Sequence, residues 1–389
     1  MNVLHVISSL KLEQGGPAQG VRNITSYYAE LGVTATVLSM DEPEDDLGSV
    51  DHLKVVTIGK GKGTFSYHPK LVKQIKHIAN QFDAVIVHGL WQYHGHAVRA
   101  ALKNTKVPYY LFPHGMLDPY FKQEYPIKHL KKYLYWFVTQ YVVLRDAKAV
   151  LFTCEEEKRL AAFSFKPYHV TAEVVNYGTT IPPIGKQTSA EQFYAEYPEL
   201  KNKRIFLFLS RIHEKKGCDL LIQAFAKALE SNKDIHLVMA GPDQTGWKAQ
   251  LIALAQSFNA EAHITWTGML KGELKWAAMK AAEVFILPSH QENFGISVAE
   301  SLALGTPVLI SDKVNIWREI EEMEAGLVEE DTFEGTEKLI SRWLALPPEE
   351  QEKYQQQAQR CFEQKFDIEQ ATKNIVTLLR SNLVKLKTE

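Results

Sequence analysis

Cysteine is scarce in this chain. Cys154, Cys218 and Cys361 are the three cysteines in 389 residues, and they lie far apart. That excludes a disulfide framework and a zinc-ligand spacing, and it points to a reducing compartment. Charge of one sign is also missing. A formal net charge of −2 gives no global case for nucleic-acid binding. There is no run of about twenty apolar residues, so no segment is expected to span a membrane. The opening Met1-Asn2-Val3-Leu4-His5-Val6-Ile7-Ser8 has a short apolar run without a basic segment before it. It reads as a first strand rather than a signal peptide, and a cytoplasmic location is expected. A D-x-D motif is absent. The acidic cluster Asp41-Glu42-Pro43-Glu44-Asp45-Asp46 reads as a solvated loop rather than a metal site, so no metal is expected.

What the chain does have is alternation. Short apolar strands are followed by loops and then by amphipathic stretches. Expected strands are Val3–Ser8, Thr34–Ser39, Lys54–Ile58, Ala84–His88, Tyr109–Pro113, Ala149–Thr153 and Glu173–Asn176. The stretch Tyr177–Gly185 is rich in turn formers and reads as a linker. The alternation then restarts with Arg204–Ser210, Ile235–Ala240, Ile264–Thr267, Val284–Pro288, Pro307–Ser311 and Gly326–Val328. Two such blocks predict two α/β domains with parallel sheets. Ligands of such sheets bind outside the carboxyl ends of the strands, so an inter-domain cleft is expected to hold the chemistry.

Four strand-end loops carry candidate residues. Glu292 and Glu300 are eight positions apart, with Asn293, Phe294 and Gly295 between them. A helix beginning near Gly295 would offer N–H groups to an anion, with Glu300 about 8 Å along its axis. The loop after Arg204–Ser210 carries Arg211 and Lys216, fixed positive charge suited to a diphosphate. The first loop carries Gly15 and Gly16, with a G-G-x-x-x-G pattern that is not the dinucleotide fingerprint. In the fourth, His114 ends an apolar strand and precedes Gly115. Each feature alone also has a plainer reading: an ordinary turn, a solvated charge or a structural histidine.

Together and in this order they resemble the retaining glycosyltransferases of family four, which have the GT-B fold. The stretch His114-Gly115-Met116-Leu117-Asp118-Pro119, then Lys131-Lys132-Tyr133, is most similar to bacterial exopolysaccharide members. The resemblance implies two Rossmann-like parallel-sheet domains facing a central cleft. It places an acceptor domain at 1–180, a nucleotide-sugar domain at 181–365, and at 366–389 a C-terminal helix returning to the first domain. It implies that Glu292 binds the donor sugar's hydroxyls, assisted by backbone around Asn293, Phe294 and Gly295. Glu300 would hold the ribose, and Arg211 and Lys216 the departing diphosphate. Gly15 and Gly16 would let the first domain close over the phosphates, and His114 would face the sugar. Thr267-Gly268-Met269-Leu270 matches the family's base-binding loop, where the backbone of Met269 or Leu270 would meet the nucleobase.

The implied donor is a UDP-sugar, with UDP-glucose expected from family frequency. The implied chemistry is metal-independent and needs no other cofactor, and its acceptor is a saccharide or lipid-linked saccharide. The basic, aromatic segment Tyr120–Val143 reads either as a helix lying on an anionic membrane or as one with a solvated face. Trp91, Tyr93, His94 and His96 read as packing or as an acceptor-stacking group. Two rivals remain: a glycosyltransferase-fold binding subunit, and a two-domain NAD-dependent oxidoreductase whose fingerprint the first loop lacks.

Overall fold

The computed structural model describes residues 1–11, 13, 16–48, 53–120, 122, 126–180 and 189–388. The chain divides into two compact units, Met1–Gly178 with Ile368–Glu389, and Thr179–Asp367. Each is built on one all-parallel sheet. In the first unit the strands are β1 (Asn2–Ile7), β2 (Thr34–Ser39), β3 (Lys54–Thr57), β4 (Ala84–His88), β5 (Tyr109–Phe112), β6 (Ala149–Phe152) and β7 (Ala172–Val174). In the second they are β8 (Arg204–Leu209), β9 (Ile235–Ala240), β10 (Ile264–Gly268), β11 (Val284–Leu287), β12 (Val308–Ser311) and β13 (Gly326–Glu329).

The reason these segments are strands is their apolar continuity. Helices cover both faces of a parallel sheet, so its inner strands are buried on both sides. Ala84–His88, Tyr109–Phe112 and Val284–Leu287 are buried along their whole length. Where an expected strand runs too far, local geometry stops it. Pro113 brings no N–H to a ladder, and His114 beyond it turns to φ +51°. Asn176 sits at φ +61°, outside strand geometry, and β7 ends two residues earlier at Val174. The turn-rich stretch starting at Tyr177 is not linker throughout. Tyr177 is 3 % exposed and packs into the first unit, because its ring fills space left by a glycine on the helix Gly16–Ser26. The remainder of that expected linker, from Ile181 onward, lies outside the described residues.

The sheet orders are β3-β2-β1-β4-β5-β6-β7 and β10-β9-β8-β11-β12-β13. In both, the strand order reverses beside the first strand of the unit. The crevice at such a reversal lies beyond the carboxyl ends of the flanking strands. In the second unit those strands are β8 and β11, and in the first they are β1 and β4. The last helix, Ile368–Thr388, belongs to the first unit, where the Arg380 guanidinium donates to the Leu31 carbonyl at 2.6 Å. Among the described residues no helix is long and apolar enough to cross a membrane.

Candidate functional site

In the second unit, two loops leave β8 and β11 side by side and are stitched together. Gly217 has φ +62°, and a Cβ there would sit 2.1 Å from the Pro288 carbonyl oxygen. Only glycine permits that approach. The Ser289 hydroxyl and the His290 N–H each donate to the Lys215 carbonyl at 2.8 Å. On the other side the Glu292 N–H donates to the Lys313 carbonyl, and the Asn315 N–H to the Glu292 carbonyl, both at 3.0 Å. The backbone at Lys216 and at Glu292 is therefore fixed before any ligand arrives.

This brings the two side chains into contact. Lys216 Nζ donates to Glu292 Oε2 at 2.6 Å. Lys216 is buried and Glu292 half-buried. Burial works to raise the Glu292 carboxyl, but Lys216, the Asn293 N–H and Arg211 hold it below the ordinary carboxylate value. Arg211 is exposed and bonds Gln244 through a long 3.4 Å contact, so its guanidinium retains donors for a ligand. The Asn293 N–H, expected to reach outward, instead donates to Glu292 Oε1 at 3.1 Å. A carboxylate one residue away is its nearest acceptor. Phe294 is buried edge-on against Phe366, with ring centres 5.7 Å apart, and anchors the loop.

Gly295, at φ +71°, precedes the helix Ile296–Ala303, which has no side-chain cap. Its first N–H groups thus face the loop mouth, the arrangement that attracts an anion. Glu300 lies in the fifth position and is 7 % exposed. Burial pushes its carboxyl up, and Lys275 offsets this only in part. Lys275 Nζ donates to Glu300 Oε1 at 2.7 Å and lies 3.9 Å from the centre of the Trp276 ring. Sequence reading missed Lys275. Its only signal was a basic residue early in the helix that follows the Met269–Leu270 loop. In that loop Met269 is exposed and Leu270 buried, beyond Gly268 at φ +68°.

The first unit has its own cluster beyond β1, β4 and β5. Gly15 lies outside the described residues. Gly16 opens the helix Gly16–Ser26, and a Cβ there would meet nothing within 4 Å. The Tyr177 hydroxyl donates to the Gly16 carbonyl at 3.1 Å. This is possible because Gly20 has no side chain: a Cβ there would lie 1.3 Å from the Tyr177 oxygen. The acidic cluster is not simply solvated. Asp41 is 4 % exposed and accepts from the Leu10 N–H at 2.7 Å, while Arg22 holds the Leu10 carbonyl at 2.7 Å. Burial of Asp41 therefore clamps the start of the first loop.

His114 is held by its neighbours. The Gly115 N–H donates to Glu157 Oε1 at 2.6 Å, and the other Glu157 oxygen takes the Thr153 N–H and hydroxyl. Glu157 is buried, and the charged stretch Glu155-Glu156-Glu157 gave no hint of it. The His114 ring stands edge-on to Tyr177, 5.9 Å between centres, and its Nε2 lies 3.1 Å from His88 Nδ1. Burial pushes the His114 imidazole down to about 3. Of the aromatic group after β4, Trp91 packs on Phe165 and Trp136 and carries Lys132 over its ring at 4.7 Å.

Two family models match the chain, one for each half. "Glycosyl transferase 4-like domain" matches residues 15–178, and "Glycosyl transferases group 1" matches 190–361. The phosphatidyl-myo-inositol mannosyltransferase of Mycobacterium leprae is 34% identical over 146 residues, 37% of each chain. The D-inositol 3-phosphate glycosyltransferase of Rhodococcus erythropolis is 27% identical over 195 residues, 49% of this chain and 43% of that one. The matched stretches thus span less than half of these curated relatives. Among solved structures, sucrose-phosphate synthase from Thermosynechococcus elongatus superposes with a TM-score of 0.77 at 18% identity, covering 99% of this chain and 100% of that one. Anabaena Alr3699/HepE in complex with UDP and glucose gives 0.75 at 16%, covering 98% and 100%. These last two likenesses are of fold. By its two matched domains and its two parallel-sheet units, the chain belongs to the GT-B glycosyltransferases of the family-four type.

Proposed function

We propose that this protein is a retaining, metal-independent hexosyltransferase. It would move a sugar, glucose in the first instance, from a UDP-sugar to a saccharide or lipid-linked saccharide in cell-surface polysaccharide synthesis. The observation that carries the reading is the Lys216–Glu292 contact at 2.6 Å, beside an uncapped helix start at the strand-order reversal. A cation, a carboxylate and N–H groups meet there. That set suits a ligand with sugar hydroxyls on one side of a phosphate.

In this reading Glu292 takes the sugar hydroxyls and Glu300 the ribose. Arg211, Lys216 and the N–H groups at Gly295 take the diphosphate, whose charge grows as the bond breaks. Two cations then do the work that other folds give to a metal. Met269 and Leu270 meet the base, His114 meets the transferred sugar, and Gly16 leaves room for the phosphates. The acceptor oxygen attacks on the face from which the diphosphate departs, and a diphosphate oxygen takes the acceptor's proton. The test is a thermal-shift screen of nucleotides and nucleotide sugars, followed by an acceptor panel with UDP-glucose. A glucoside of retained configuration, formed in EDTA, is expected. Donor binding without release of sugar, against every acceptor and water, would make the chain a binding subunit instead.

A lipid-linked acceptor is supported by the helix Pro126–Tyr135 and the turn after it. Ile127, Leu130, Leu134, Phe137 and Val138 are all exposed and recur at helical spacing, with exposed Lys122 and Lys131 nearby. Such a face suits peripheral contact with an anionic membrane.

A further inference from the structure

Behind His114, the first unit contains a line of buried polar groups that the proposed chemistry does not use. His5 sits in β1 and His88 ends β4; they are 0 % and 1 % exposed. The Tyr28 hydroxyl lies 3.2 Å from His5 Nε2. His5 Nδ1 lies 2.9 Å from His88 Nε2, and His88 Nδ1 lies 3.1 Å from His114 Nε2. The His5 and His88 rings lie 15° from parallel and those of His88 and His114 21°, with centres 5.2 and 5.4 Å apart, as suits rings joined edge to edge through these nitrogens. His94 Nε2 bonds the His88 carbonyl at 2.9 Å and steadies the middle of the line.

Burial pushes His5 and His114 down to about 3, and burial with the neighbouring imidazoles lowers His88 well below its usual value. All three are neutral at pH 7. A neutral imidazole has one N–H and one lone-pair nitrogen. The line therefore has two self-consistent directions. In one, Tyr28 donates to His5, each Nδ1–H donates onward, and His114 carries its proton on Nδ1. In the other every bond reverses, and the Tyr28 hydroxyl accepts from His5. Its own hydrogen then needs another acceptor. Tyr28 is 1 % exposed, and among the described residues its hydroxyl has no partner except His5. The second direction buries an O–H without an acceptor, which folded proteins avoid.

We propose that Tyr28, His5 and His88 are positioning residues that fix the tautomer of His114, so that its Nδ1–H is a neutral donor available to a sugar ligand. His114 Nδ1 has no partner among the described residues. With its lone pair turned inward to His88, His114 does not act as a base toward the ligand. The contact with sugar rests on the reading under Proposed function; the tautomer does not.

The test is nitrogen-15 NMR of the full chain with labelled histidine. The wild type should show His114 protonated on Nδ1, with Nε2 as the lone-pair nitrogen. Tyr28→Phe keeps the ring and removes the directing hydroxyl, so His114 should become a mixture of tautomers. Hydrolysis of UDP-glucose should then fall about tenfold in kcat/KM, with UDP affinity held within about twofold. A wild-type His114 protonated on Nε2 would overturn the proposal without any variant. So would an unchanged His114 tautomer in folded Tyr28→Phe. The spectra are read without ligand, so a failure of the nucleotide-sugar reading leaves this test intact.

Discussion

Replacing Lys216 with methionine keeps most of the stem and deletes the charge beside Glu292. The two groups are 2.6 Å apart, with 8% of the lysine side chain and 26% of the glutamate side chain exposed. Removing one partner of a fully buried pair costs about 3–5 kcal/mol, because the other charge is stranded. Water reaches part of Glu292, so Lys216→Met should cost roughly 1–2 kcal/mol at neutral pH. The pH dependence has a definite sign. Glu292 is held below its ordinary value, so its stabilisation is present above the unfolded carboxylate pKa, about 4.3. That stabilisation is lost as pH falls through the folded value. The gap between wild type and Lys216→Met should therefore be widest near neutrality and shrink toward acid, read by urea denaturation at stepped pH. The same lysine should matter to a phosphate. A charged hydrogen bond contributes about 1.5–3 kcal/mol, so UDP should bind Lys216→Met roughly ten to a hundred times more weakly. Glu292→Gln should do the reverse: it should hold UDP at least as well and lose turnover. Wild-type UDP affinity in Lys216→Met would refute the division of labour.

Other outcomes follow from the same geometry. The folded-state pKa of Glu300 is raised, so its ionisation works against folding as pH rises through that value. Glu300→Gln should then be as stable as wild type or more so at pH 7, with any gain gone in acid, while UDP affinity drops; calorimetry and titration check both. Gly217→Ala should cost at least about 2 kcal/mol, since φ is +62° and the Pro288 carbonyl leaves no room. Gly16→Ala should shift stability by no more than about 0.5 kcal/mol, yet slow donor turnover. Leu130→Asp with Leu134→Asp should abolish co-sedimentation with anionic vesicles; unchanged binding would remove the membrane contact.

The sheets were legible because parallel strands are apolar throughout. Val284–Leu287 and Ala84–His88 could be read from composition, and the strand ends shifted by only a residue or two where Pro113 or Asn176 intervened. The helix carrying Glu300 was legible from its spacing. The partners of the site were not. Lys275 meets Glu300 from another helix, Glu157 reaches back from an ordinary acidic stretch, and Asp41 is buried inside a cluster that looked solvated. Such contacts depend on which segments the topology brings together. His5 stood in plain view in an apolar strand. Its meaning came only when β1 and β4 proved to be neighbours, which placed His88 beside it.

The proposed function rests on Lys216, Glu292 and Glu300 holding a nucleotide sugar ready for transfer. The most direct measurement is UDP release from UDP-glucose in EDTA, wild type beside Glu292→Gln. Slow release by wild type and none by the folded variant are expected. Equal release by both, or no release and no rise in melting temperature on adding UDP, would contradict it.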